Sequence, residues 1–395
     1  MNIDQLFSST TKKALQNDPP GEWMPNIPAN CLRLSSGFPA PNVVPVTELK
    51  QAVTNLLDQE QDLPLHYVGT PKMELLPEQI KHRLEQRALS FSSDEILVTA
   101  GACQAIDLIA RVLLDEQSVV AVESPTYMEA LEMFQNYTHQ FIEIPMDEHG
   151  MKTDELAHVL AERKEQGLPM PKLLYTIPSF QNPTGTTLTN ERRRHLIKLS
   201  EHYQFLILED DAYGELYFDE LPIPLSAMDT ENRVLYVGSL SKVIAPGLRI
   251  GWVATTKEMV QTLFWFKKDL DHPFAQAIMS QYLNENPLDR RLKELRTAYK
   301  EKCDTMLEAL EQYMPRHVSW YVPEGGYFVW LKISNIDTSA LLDDATKNGV
   351  SFLPGKYFFL HEEEGREWLR LSFSYEEKEE IQQGIKRLSE VLSQM

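Results

Sequence analysis

The stretch Gly238-Ser239-Leu240-Ser241-Lys242, followed by Pro246-Gly247-Leu248-Arg249-Ile250-Gly251-Trp252, decides how the rest of this 395-residue chain is read. The apolar run Arg233 to Val237 ends in it and a second run, Leu248 to Val253, leaves it. A lysine just after a strand, flanked by two serines and followed seven residues later by an arginine, can set an amine beside a phosphate pocket. Taken by itself the same spacing also suits a solvated lysine and a salt-bridged arginine, because both residue types mostly lie at the surface.

Working outward, short apolar runs alternate with longer mixed segments. They are Glu95 to Thr99, Ser118 to Val122, Gln140 to Ile144, Lys172 to Ile177 and Phe205 to Leu208, besides the two already named. Runs that are almost continuously Val, Ile and Leu suit strands covered on both faces, and the intervening lengths suit helical crossovers. The expectation is an α/β fold with a seven-stranded, mainly parallel sheet. Ile106, Ile109, Ala110, Leu113 and Leu114 follow Gly101 at helical spacing, so one strand passes through a small-residue turn into an anion-ready helix start.

Two further segments fall at expected strand ends: Asn182-Pro183-Thr184-Gly185, and Glu209-Asp210-Asp211-Ala212-Tyr213. Ligands of open α/β sheets bind outside the carboxyl ends of the strands, so these segments and Lys242 can meet in one crevice. A lysine for a Schiff base, a carboxylate to hold a heteroaromatic nitrogen protonated, and donors to a phenolate oxygen are what pyridoxal phosphate requires.

The remainder supplies boundaries and exclusions. Leu292, Leu295, Tyr299, Met306, Leu307 and Leu310 make one apolar stripe of a long charged helix. Val318 to Val322, Tyr327 to Ile333 and Trp368 to Phe373 read as strands, and Ile381, Ile385, Leu388 and Leu392 as a closing helix, together a smaller α+β domain. The expected division is 1–45, an arm that also joins the small domain; 46–285, the large cofactor-binding domain; and 286–395, the small domain. Lys plus Arg number 38 against 58 Asp plus Glu, a net charge of -20 that argues against nucleic acid and anionic lipid. No apolar run reaches the roughly 18 to 20 residues that span a bilayer, and residues 1–10 lack a secretory pattern. Cys31, Cys103 and Cys303 match neither a disulfide framework nor a zinc site, and the ten histidines show no metal-ligand spacing. A cytoplasmic protein without a metal is expected.

Asn-Pro-x-Gly, Asp-x-x-Tyr, Ser-x-Ser-Lys and the seven-residue lysine-to-arginine spacing together resemble the fold type I pyridoxal phosphate enzymes. Within these the chain resembles the aminotransferase class I and II family, closest to the branch of 2-aminoadipate and kynurenine aminotransferases and MocR-like regulators, from about Leu34 to the C-terminus. The resemblance implies Lys242 as Schiff-base residue and proton shuttle, Asp210 on the pyridine nitrogen, and Tyr213 and Asn182 on the phenolate oxygen. Asp211 is left as a capping or solvated carboxylate. It further implies Tyr127 stacked on the ring, and phosphate held by Ser239, Ser241, Arg249 and the amides of Gly101, Ala102 and Cys103. Ala102 stands where relatives often carry a hydroxyl. Tyr67 would reach the phosphate of a neighbouring subunit, which implies a homodimer. Arg370, in Trp368-Leu369-Arg370-Leu371, would bind the substrate α-carboxylate, Asn182 would border the substrate, and Gly37 would let the backbone pass close to it.

The activity that follows is a ping-pong aminotransferase using an L-amino acid and 2-oxoglutarate or another 2-oxo acid. Phe38, Trp23 and Tyr67 lie in segments that could line the donor pocket, which favours an aromatic or large apolar donor, with 2-aminoadipate next. A β-lyase of the cysteine-S-conjugate type is the alternative on the same fold. A non-catalytic amine-sensing domain is the third reading, disfavoured because the 45 residues before the large domain lack a winged-helix pattern.

Overall fold

The structure, a computed structural model, describes residues 3–17, 19, 21, 27–28, 30–66, 70–268 and 272–394. In chain order its strands are β1 (Leu32–Arg33), β2 (Ile96–Thr99), β3 (Val119–Ser124), β4 (Gln140–Asp147), β5 (Gly150–Met151), β6 (Pro171–Thr176), β7 (Leu206–Asp210), β8 (Val234–Ser239) and β9 (Gly251–Ala254). They continue with β10 (Val318–Trp320), β11 (Phe328–Ile333), β12 (Val350–Ser351), β13 (Leu353–Pro354) and β14 (Trp368–Ser372).

The large sheet runs β2-β9-β8-β7-β6-β3-β4-β5. Strands β4, β3, β6, β7 and β8 are mutually parallel. Strand β9 alone runs against both its neighbours, β2 and β8. Alternate residues of β3 enter different cores. Val120 and Val122 pack with Ala105, Ile106 and Ile109 of the helix Ala102–Leu113, whereas Val119 and Ala121 pack with Leu156, Leu160 and Leu196 behind the sheet. Both faces are therefore sealed, which is why the runs carry no polar alternation.

Seven strands are expected from the sequence, and the sheet has one more, the two-residue β5. It forms a hairpin with β4, in which Asp147 Oδ1 accepts from the His149 amide at 2.9 Å and Gly150 takes φ +89°. Two residues are too short to show a period. Leu248 and Arg249, expected in a strand, instead close the turn before β9, where Arg249 has φ +53°.

A second sheet runs β10-β11-β14-β13, all antiparallel. The long helix Leu288–Tyr313 packs against the last helix, Lys378–Leu392, through the expected apolar stripe, with Leu292, Leu295, Met306 and Leu310 buried. Strand β1 pairs with β12, and the Ser372 amide donates to Leu34 O at 2.7 Å, so the early chain is stitched to this sheet and passes above the ends of the large one.

Candidate active site

Strand β2 leads into the helix Ala102–Leu113 through Gly101, its N-cap, at φ +83°. A Cβ on Gly101 would stand 2.6 Å from Arg249 Nη2, and one on Gly251 would stand 2.7 Å from Ala102 N. The absence of side chains thus lets a guanidinium fork lie directly over the unpaired amides of a helix N-terminus, and Arg249 Nη2 donates to Ala100 O at 3.3 Å. At the end of β8 the Ser241 amide donates to Ser239 Oγ at 3.1 Å. Two hydroxyls, a guanidinium and helix amides around one rim form a cradle for a phosphate dianion.

Asp210 ends β7, buried. Tyr175 donates its hydroxyl to Oδ2 at 2.9 Å, while Oδ1 is buried with no hydrogen-bond partner. Burial raises the Asp210 pKa to about 6, opposed by the Tyr175 hydrogen bond and reinforced by the charge of Asp211. A buried acceptor without a donor calls for one, and a protonated ring nitrogen would be one. Asp211 is not the solvated or capping carboxylate expected of it: it is buried, paired with Arg87, and accepts the Tyr236 hydroxyl at 2.7 Å.

Lys242 Nζ donates to Gly37 O at 2.9 Å and lies 5.6 Å and 5.9 Å from the ring centroids of Tyr213 and Tyr327. Burial of the amine, helped by the positive charge of Arg370, lowers its pKa to about 8. Arg370 lies on β14, buried, and donates Nη1 to Asn182 Oδ1 at 2.8 Å and Nη2 to Ser35 O at 2.9 Å, with its carbon fork 4.1 Å from the Phe328 ring centroid. Its Nε is buried and unpartnered, and burial lowers its pKa to about 10. With Asn182 Oδ1 engaged, the amide nitrogen is the end left to donate elsewhere. A Cβ on Gly37 would come within 3.3 Å of Phe328 and 3.9 Å of Arg370 Nη2, so this turn is shaped for close passage.

Tyr213 packs edge-on to Tyr327 and Phe328, and burial raises its pKa. Tyr127 stands before the helix Met128–Gln135, and burial, then Cys103 and Glu129, hold its pKa well above the usual phenol range. The Cys103 thiol donates to Glu129 Oε2 at 3.5 Å and is pushed up to about 11, chiefly by burial, which keeps it a thiol. Tyr67 and Trp23 lie outside the described residues. Phe38 is 61% exposed.

Three side chains at this site escape the sequence reading. Tyr175 and Tyr327 register there only as members of apolar runs, and Glu129 does not register at all. Among the described residues no group of three potential metal ligands occurs and no helix is long and apolar enough to cross a membrane. All three cysteines are free.

The orphaned Asp210 oxygen, the glycine-lined phosphate cradle and the enclosed amine between them fit pyridoxal phosphate. Comparison with known proteins agrees. Residues 29–388 match the model of the family "Aminotransferase class I and II". The chain is 38% identical to aromatic-amino-acid aminotransferase 1 of Thermococcus litoralis, over 93% of this chain and 89% of that one. It is 34% identical to the 2-aminoadipate transaminase of Thermus thermophilus, over 91% and 90%. Among solved structures, the kynurenine aminotransferase of Pyrococcus horikoshii, in complex with PMP, superposes with a TM-score of 0.91 at 36% identity, covering 100% of this chain and 98% of that one. The chain belongs to the aminotransferase class I and II family, with the fold type I architecture and pyridoxal phosphate as its cofactor.

Proposed function

We propose that the protein transfers the amino group of an L-amino acid to 2-oxoglutarate or another 2-oxo acid by alternating half-reactions at this site. The observation that carries the reading is that a buried guanidinium, Arg370, and the amine of Lys242 meet the same short stretch of chain, Arg370 Nη2 donating to Ser35 O and Lys242 Nζ to Gly37 O, each at 2.9 Å. The first suits an α-carboxylate, and the second suits proton transfer at the adjoining α-carbon. A cofactor alone would need no such arginine.

Pyridoxal phosphate, when bound, supplies an aldehyde for the amine and a protonated ring that draws electrons from the α-carbon. Lys242 would hold the cofactor through its amine, and the same amine would serve as the base for the α-proton. Asp210 keeps the ring nitrogen protonated through Oδ1, with Tyr175 fixing Oδ2. Tyr213 and the Asn182 amide would donate to the ring oxygen, and Tyr127 would lie against the ring. Arg249, Ser239, Ser241 and the amides of Gly101, Ala102 and Cys103 hold the phosphate. Arg370 orients the α-carboxylate, with Asn182 beside it and the Gly37 turn closing over the substrate.

The family resemblance supports a homodimer, and three free cysteines support a reducing, cytoplasmic location. We take residues 1–45, 46–285 and 286–395 as arm, large and small domains. The aromatic, kynurenine and 2-aminoadipate aminotransferases among its relatives support an aromatic or large apolar donor, with 2-aminoadipate next.

The test is the visible absorbance of purified protein during addition of amino acids, with Lys242→Ala alongside. A Lys242-dependent band that bleaches and returns with 2-oxoglutarate supports the reading. A band that persists while pyruvate and ammonia accumulate points to the β-lyase, and no Lys242-dependent band after adding cofactor overturns the assignment.

A further inference from the structure

The main-chain carbonyl of Lys242 sits in the turn between β8 and β9, where Val243 and Ile244 donate their amides to Leu240 O at 3.3 Å and 2.9 Å. In a helical turn the Lys242 carbonyl would next be met by the amide of the residue four further on. That residue is Pro246, which has no N–H. A buried carbonyl left unpaired is costly, so its partner has to come from elsewhere. It comes from the start of the smaller sheet: Tyr327 donates its hydroxyl to Lys242 O at 2.8 Å. The same hydroxyl also reaches the Tyr299 oxygen, which accepts from it at 3.2 Å on the long helix Leu288–Tyr313. Both tyrosines are buried. The same helix grips the next carbonyl, for Arg291 Nε donates to Val243 O at 2.5 Å and its Nη2 to Val43 O at 2.6 Å.

We infer that Tyr327 is a positioning residue for Lys242: its hydroxyl, braced by Tyr299, pins the lysine's main chain so that only side-chain torsions carry the amine between its positions. This rests on the reading of Lys242 as the working amine. Fixing the anchor of a group that must reach two atoms in turn narrows the range over which its amine wanders, which is where orientation contributes to rate. Two consecutive carbonyls, Lys242 and Val243, are thus held by side chains from outside the sheet that carries the lysine, tying its turn to the long helix.

The test uses Tyr327→Phe, which keeps the ring and its packing and removes only the hydroxyl, and Tyr299→Phe, which removes the brace. Each apoprotein is mixed with pyridoxal phosphate and the growth of the visible band is timed. The holoproteins then turn over an α-deuterated donor. Tyr327→Phe is expected to slow band growth by about 3- to 10-fold, the equivalent of one hydrogen bond of about 1 kcal/mol. Its α-deuterium isotope effect on kcat rises, because proton transfer becomes more fully limiting, while its KM for the 2-oxo acid stays unchanged. Tyr299→Phe shifts both in the same direction by less. Band growth and isotope effect equal to those of the unaltered protein overturn the inference. If Tyr327→Phe does not fold, Tyr299→Phe decides on the same two readouts. Failure of the unaltered protein to form any Lys242-dependent band instead overturns the underlying functional reading, so the two failures are distinguishable.

Discussion

Tyr175 gives its hydroxyl to one oxygen of Asp210 across 2.9 Å, from the strand next to it in the sheet, and the second oxygen of that carboxylate meets no donor in the protein. One half of the carboxylate is fixed and the other is directed at a ligand. Asp210→Asn is therefore expected to slow the amino-acid half-reaction by about 150- to 5,000-fold, the scale of about 3 to 5 kcal/mol for breaking a buried charge pair. Tyr175→Phe should cost about fivefold, in line with a hydrogen bond of about 1 kcal/mol. Stopped-flow measurement of cofactor bleaching in both variants checks this, and equal losses would contradict the division of labour between the two oxygens.

The amine of Lys242, lowered to about 8 by burial and then by Arg370, gives a pH dependence with a definite sign. Below that pKa most of the amine is protonated and cannot attack an aldehyde. The rate at which apoprotein captures pyridoxal phosphate should rise about tenfold per pH unit toward pH 8 and level off above it. A profile still climbing at pH 10 would place the amine in ordinary solvent.

Arg370→Gln is expected to lower kcat/KM for amino acids by about 100-fold or more, since hydrogen bonds to charged groups are worth about 1.5 to 3 kcal/mol each. Amines lacking a carboxylate should lose little, so the ratio of the two is the informative quantity. Because the Arg370 charge also depresses the Lys242 pKa, the capture profile of this variant should shift toward higher pH.

Arg87→Leu leaves the buried Asp211 without its counter-ion and is expected to destabilise the protein by about 3 to 5 kcal/mol. Arg87→Leu combined with Asp211→Asn should recover part of that loss, because the stranded charge is gone. Denaturant unfolding of the three proteins tests it, and a double variant less stable than the single would show that Asp211 needs its charge for other reasons.

How much of this could be read beforehand depends on distance along the chain. Lys242 and Arg249 were legible because their motif is written within eight consecutive positions, and β2 to β9, the two-residue β5 apart, because strands within a covered sheet leave apolar runs. Asp210 was preferred to Asp211 because the family pattern puts the carboxylate three residues before the tyrosine, while Asp211, expected to be capping or solvated, is buried. Its partner Arg87 lies 124 positions away at the end of a helix, where an arginine ordinarily faces water. Tyr175 and Tyr327 reach their partners over 35 and 85 positions, and a tyrosine in an apolar run gives no sign that its hydroxyl has work beyond filling space. Arg370 became legible only through family resemblance, since one arginine on an alternating strand has no local signature.

The reversed direction of β9 limits how this sheet can grow. Its amino end, not its carboxyl end, reaches the rim where β2 and β8 finish, so a residue preceding one strand and residues following two others meet at one rim. Were the four-residue strand parallel, Arg249 would enter from the opposite edge, about 13 Å away at about 3.3 Å per residue. A lineage could add strands beyond Met151 and leave every ligand contact untouched. A strand inserted beside Gly251 would part Arg249 from Gly101, and the phosphate would lose its only guanidinium among the residues that form the cradle.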